Sequence, residues 1–297
     1  MVEARLIETI DAGDELGEGV AWRPEDRSLW WTDIQGSRLH RIDWQTREHR
    51  TIALPEKLGS FGFSAPGDGR LIGAFQTGFA WLDPEAGRVE WIERPLLGRA
   101  DMRFNDGRVG PDGRFWAGTM ADPQGKQGLG VLYSIDADEG LREHRTGIGV
   151  PNALCWSRDG ATVYFADSVQ AAIHRYPFDI AAGTFGEAAL FCSLPEGAPD
   201  GAVTDAEGRV WNAVWGAGEI HVRDPNGALL ARIAVPTKQC TCPVFGGPRM
   251  NLLIVTSARE GMTEDALARE PQAGSLFVFE TDCTGLPPAR FGEGMIA

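Results

Sequence analysis

Six short segments decide the fold: LWWTDI (29–34), LIGAFQ (71–76), FWAGTM (115–120), VYFADS (163–168), VWNAVW (210–215) and LIVTSA (253–258). Each is an apolar run with an aromatic or branched anchor. Taking Trp31, Ile72, Trp116, Tyr164, Trp211 and Ile254 as equivalent gives spacings of 41, 44, 48, 47 and 43 residues. A period of that size marks a repeat architecture.

Working outward from each anchor, the punctuation also recurs. A Gly-bearing turn precedes most of them, as in PGDGR (66–70), PDGR (111–114), RDG (158–160) and AEGR (206–209). A second run follows, among them SRLHRID, GFAWLD, VLYSID, EIHVRD and SLFVFE. These runs are rich in Val, Ile, Phe and Trp and are separated by Gly, Asp and Pro, which is strand and hairpin chemistry. Helical periodicity is almost absent; TEDALAR (263–269) reads equally as a helical turn or a loop. Four strands per unit and six units predict an all-β, six-bladed β-propeller forming a single domain over residues 1–297. The early strand RLIETI (5–10) lies outside the first full unit and is expected to pair with the last blade, joining the two ends of the chain.

Composition narrows the functional classes. Lys and Arg number 28 against 42 Asp and Glu, a net charge of −14. Such a surface repels a phosphate backbone or an anionic bilayer, which excludes nucleic acid and membranes as expected partners. No apolar run approaches the ~18 residues of a membrane span. The segment MVEARLIETIDAGDELGEG is acidic where a signal peptide is basic and then apolar, so the expected location is cytoplasmic. Five cysteines (155, 192, 240, 242 and 283) form no disulfide framework, and Cys240 and Cys242 have no second pair to complete a metal site. The five histidines are scattered without metal-binding spacing.

In a propeller the innermost strands line a central channel, so residues at one phase of each unit converge there. Counting back 11 to 13 residues from the anchors selects Glu18, Ser60, Asn105, Asn152, Asp200 and Cys242. Singly, NDG (105–107) and PDG (199–201) are also ordinary turn chemistry. In phase, they bring two carboxylates and two carboxamides to one channel mouth. Oxygen ligands of this kind suit a hard or borderline divalent cation, with Glu18 and Asp200 supplying charge and an Asn carbonyl completing one face. Arg103 shares a strand side with Asn105 and reads either as a pocket residue or as a surface arginine.

The stretches GEGVAWRPED, RFNDGRVGPDGRFWAGTM, PNALCWS, PDGAVTDAEGRVWNAVW, VFGG, TSAREGM and QAGSLF resemble the regucalcin/gluconolactonase family, called the senescence marker protein family in animals. The resemblance runs through all six units. It implies a propeller that uses one divalent metal to hydrolyse sugar lactones, with metal ligands on Glu18, Asn152 and Asp200 and substrate contacts on Arg103 and Asn105. Within the family the expected substrate is an aldonolactone of bacterial sugar metabolism, a pentonolactone such as D-xylonolactone first. The chain departs from animal members after TMA, where Asp122-Pro123-Gln124-Gly125 begins a loop expected to edge the pocket.

Opening a lactone requires a polarised carbonyl and an activated water; Asp200 is the expected proton acceptor. Calcium prefers six to eight oxygens and more charge than two carboxylates, so Fe²⁺, Mn²⁺ or Zn²⁺ is expected ahead of Ca²⁺ or Mg²⁺. No Gly-X-Ser-X-Gly elbow argues for a covalent acyl-enzyme. Two competing readings remain: a metal-dependent esterase or phosphotriesterase, and a calcium-binding propeller without turnover. Nothing in the sequence bears on oligomeric state.

Overall fold

The protein is described by a computed structural model over residues 2–123 and 128–294. It is a six-bladed β-propeller. Blade 1 comprises Gly17–Arg23, Ser28–Asp33, Arg38–Asp43 and His49–Ala53; blade 2 Leu58–Phe63, Leu71–Phe75, Phe79–Asp83 and Arg88–Glu93; blade 3 Met102–Val109, Phe115–Ala121, Gly130–Asp136 and Gly140–Ile148. Blade 4 comprises Pro151–Trp156, Thr162–Asp167 and Ala172–Asp179, whose outer edge pairs with both Thr184–Phe185 and Ala189–Ser193. Blade 5 comprises Ala198–Thr204, Val210–Trp215, Glu219–Arg223 and Leu229–Ala234. Blade 6 comprises Cys240–Gly246, Leu252–Ser257 and Leu276–Thr281, and Ala4–Ile10 pairs antiparallel with the last of these.

All six anchors fall in the second strand of a blade. These strands are buried on both faces, so they read as continuous apolar runs rather than as alternating ones. Trp30 and Trp31 illustrate why. Successive side chains point to opposite faces of a strand, and Trp30 packs toward blade 2 with Leu58 and Phe75 while Trp31 packs toward blade 6 with Val244 and Ile254. Six apolar clusters of this kind, one between each pair of neighbouring blades, close the ring.

The indole N–H of a buried tryptophan usually finds a hydrogen-bond partner. Trp31 donates to Asp14 at 2.7 Å, Trp116 to Asp112 at 3.1 Å and Trp211 to Asp205 at 2.9 Å. Asp112 and Asp205 lie in the Gly turns that precede their anchors, so the turn also fixes the ring. The segment TEDALAR contains a short helix, Glu264–Arg269, capped by the Thr263 hydroxyl accepting from the Ala266 N–H. Among the described residues no helix is long and apolar enough to cross a membrane.

Two stability predictions follow from this packing. Trp211 is fully buried, so Trp211→Ala should cost about 3 to 5 kcal/mol in urea unfolding. His144 lies against Trp116 at 4.2 Å between ring centroids, and burial, aided by Arg142 and Arg114, lowers its pKa from 6.5 to about 4. The fold therefore holds a neutral imidazole that the unfolded chain protonates below pH 6.5. Its contribution is complete above that pH and is lost as pH falls through about 4. His144→Gln should flatten the fall in melting temperature between pH 6.5 and 4.

Candidate functional site

Each inner strand breaks its register with the second strand at the phase selected from the sequence. The shifts fall between Glu18 and Ala21, Leu58 and Ser60, Phe104 and Gly107, Asn152 and Cys155, Pro199 and Ala202, and Cys240 and Pro243. A bulge re-aims the side chain it carries. Two bulges use positive φ directly after the site residue, at Gly19 (57°) and at Ala153 (56°). The latter is uncommon for a residue with a Cβ.

Glu18, Arg103, Asn105, Asn152 and Asp200 line one cavity of about 410 Å³, together with Leu16, Ser168, Trp215 and Glu260. All five are buried. Ser60 is buried away from this cavity with an unpartnered hydroxyl, and Cys242 lines a different one, so two of the six in-phase positions do not join the group.

The carboxyl groups of Glu18 and Asp200 share a hydrogen bond. Burial, then the charge of Asp106, pushes Glu18 above the usual carboxylate range. Burial, then Glu18 and Asp106, pushes Asp200 up as well. Two carboxyls in contact away from water need a proton or a cation between them. Glu18 is also held by the Gly19 N–H at 3.0 Å.

The amides form a directed chain. Arg103 donates to Asn105 Oδ1 at 2.6 Å, and the Asn105 amide donates to the Pro151 backbone carbonyl at 2.9 Å and to Asn152 Oδ1 at 3.0 Å. Asn152 donates to the Ser168 hydroxyl at 2.9 Å, which donates onward to the Pro199 carbonyl at 2.6 Å. Since the hydroxyl proton is used on Pro199, Ser168 must accept from Asn152. That fixes the Asn152 amide with its oxygen toward Asn105, leaving that oxygen a second lone pair. The Arg103 guanidinium also lies 3.6 Å from Asp122, itself bonded by Lys57 at 2.5 Å. Residues 124–127, the continuation of the Asp122 loop, lie outside the described residues.

Among the described residues no cluster of three or more His, Cys, Asp or Glu is arranged for a metal. The set here is different: two touching carboxyls, an amide oxygen with a free lone pair, and an acidic excess that Arg103 partly offsets. That donor set fits a single divalent cation taking oxygen ligands.

The family of SMP-30/gluconolactonase/LRE-like regions matches residues 16–259. The chain belongs to this family. It is 35% identical over 278 residues to a 6-deoxy-6-sulfogluconolactonase of Pseudomonas putida, covering 93% of this chain and 94% of that one. It is 34% identical over 296 residues to a pentonolactonase of Haloferax volcanii, covering 96% and 97%. The crystal structure of regucalcin, a calcium-binding protein of Agrobacterium tumefaciens, superposes with a TM-score of 0.91 at 32% identity, covering 96% of this chain and 97% of that one.

Four residues of the site escape the sequence reading. Asp106 follows Asn105 and reads as the Asp of a turn, yet it is buried, accepts from the Leu154 N–H at 2.9 Å and acts electrostatically on both Glu18 and Asp200. Ser168, Trp215 and Glu260 reach the cavity from or beside the connections that follow second strands, and Glu260 is fixed by the Gln35 amide at 2.6 Å. Glu260 arrives on a loop that no periodicity encodes, whereas Ser168 and Trp215 each lie four residues after an anchor, Tyr164 and Trp211, and a count forward from the anchors reaches both.

The network predicts a structural effect independent of catalysis. Asn105→Ala leaves the Pro151 carbonyl and an Arg103 N–H without their partners, which should cost about 1 to 3 kcal/mol in chemical denaturation.

Proposed function

We propose that this sugar-lactone hydrolase uses one divalent cation held by Glu18, Asn152 and Asp200 to open a five-carbon aldonolactone, such as D-xylonolactone, to its aldonic acid. The observation that carries the reading is the contact of two buried carboxyls beside an oriented amide oxygen, in a cavity to which Arg103, Asn105, Ser168 and Glu260 add hydrogen-bonding groups. When bound, the cation supplies Lewis acidity toward the lactone carbonyl.

The remaining roles belong to side chains. Asp200 accepts the proton of the attacking water, as a carboxylate held at the reacting end of the cavity can. Arg103 and Asn105 orient the sugar hydroxyls, and their mutual 2.6 Å bond keeps both in place before substrate arrives. Glu260 offers an acceptor at the rim, and Trp215 an apolar face for the C–H side of a sugar ring. Buried polar groups of this kind penalise a substrate lacking the matching hydroxyls more strongly than size alone does. An aryl ester would leave them unpaired, which weighs against the esterase and phosphotriesterase reading. The pentose preference rests on the family resemblance and on the pentonolactonase relative.

The similarity to a calcium-binding regucalcin makes calcium the alternative to test. Two carboxyls and one amide carry little charge for a dedicated calcium cage, so Fe²⁺, Mn²⁺ or Zn²⁺ should support faster turnover. The test is pH-indicator hydrolysis of xylonolactone, gluconolactone and an aryl ester by chelator-stripped protein, restored anaerobically with each ion in turn. Highest activity with calcium overturns the metal preference, and equal turnover of the aryl ester overturns the substrate class. Asp200→Ala should lose bound metal and about 10² to 10⁴ in rate while keeping its melting temperature; full turnover in that variant would assign the proton acceptor elsewhere.

A further inference from the structure

The inner strands enter the sugar cavity at their starts. Their far ends, with residues such as Trp22, Val109, Trp156 and Phe245, line a second cavity of about 410 Å³ at the opposite end of the channel. Its chemistry is different. Trp22, Phe61, Phe63 and Phe245 make aromatic walls, and Leu286–Ala289 form one side. That last segment is tied down at both ends, by the Gly285 N–H to the Met250 carbonyl at 2.8 Å and by the Phe291 N–H to the Phe63 carbonyl at 2.9 Å.

Two cations line this largely apolar chamber, Arg108 and Arg158, and Arg158 already donates to the Ala206 carbonyl at 3.0 Å. Arg108 is half-buried, its Nε is enclosed without a partner, and its guanidinium forms no hydrogen bond or ion pair among the described residues. Asp106, two residues earlier, is the charge that acts on it. Asp106 itself accepts from the Leu154 N–H at 2.9 Å and forms no ion pair with Arg108 among the described residues. The indole N–H of Trp156, a residue only 7% exposed, also lines the chamber without an acceptor. Unpaired donors in apolar surroundings are costly, and an anion relieves them. The volume lies within the ~300 to 1,000 Å³ of small-molecule sites. A sugar is a poor occupant, because few groups in these walls would receive its hydroxyls.

We propose that this end of the channel is a second binding site, for a small amphipathic carboxylate that sets its anion on Arg108 and its apolar body against Trp22, Phe61 and Phe245. Occupation is independent of the sugar cavity and of whichever lactone is turned over there. Its probe is 6-fluoro-2-naphthoate, titrated into the intact protein and followed by ¹⁹F NMR. One molecule should bind per chain, 6-fluoro-2-naphthol should bind at least about tenfold more weakly, and xylonate should not compete. Arg108→Met should weaken binding about tenfold, with Arg108→Lys restoring part of it, while both variants keep the wild-type melting temperature and lactone kcat/KM. Absence of binding, equal binding by naphthol, unchanged binding in a folded Arg108→Met protein, or displacement by xylonate would each overturn the proposal.

Discussion

The contact between the Glu18 and Asp200 carboxyls is the constraint to which the rest of the site answers. Two acidic groups brought together at the axis of a ring of apolar sheets cannot both ionise there without compensation. Arg103 serves that need directly. Asn105 and Asn152 turn amide dipoles through a chain that ends on backbone carbonyls, and Arg103 supplies positive charge from the same wall. Asp106 works the other way, raising both carboxyls further. A site that tense requires a frame that does not relax, and the blades supply it.

The rigidity originates one strand further out. The second strands are packed on both faces, and two of their anchors, Trp116 and Trp211, tie an indole N–H to an aspartate of the preceding turn. The anchor therefore fixes the turn as well as the interface between blades. Because the turn joins the inner strand to the second strand, its geometry sets where the bulge of the inner strand falls. Position along the channel is inherited from the packing of the anchors.

This inheritance explains what could be read from the sequence. The anchors recur every 41 to 48 residues, and the count back to the inner strand varies only from 11 to 13, because the hairpins between them are of nearly constant length. Glu18, Asn105, Asn152 and Asp200 meet in one cavity for that reason. The count has no resolution along the channel axis. Ser60 belongs to blade 2, whose register shift spans fewer residues than the others, and Cys242 faces the opposite cavity. Asp106 was hidden differently: it reads as part of the turn-like NDG and lines the opposite cavity, so only its charge reaches Glu18 and Asp200. Glu260 depends on a loop held by Gln35 of the neighbouring blade, a contact between residues 225 positions apart.

The same bulges account for the channel having two ends of different character. Where the inner strands pass closest, side chains are excluded: a Cβ on Gly59 would lie 2.6 Å from the Phe104 carbonyl oxygen, one on Gly107 2.5 Å from Ser60 Oγ, and one on Gly201 2.8 Å from Cys242 Sγ. Contacts that short cannot be accommodated without moving backbone or a buried neighbour, so these positions require glycine whatever the blade's own strand preference. The result is a waist of close backbone contact between a polar cavity and an aromatic one. Asp106 stands at this waist, lining the aromatic side while its charge is felt on the polar side. With so little room at the waist, the acidic excess of one end has to be met from its own mouth, and the unpaired arginine of the other end from its own.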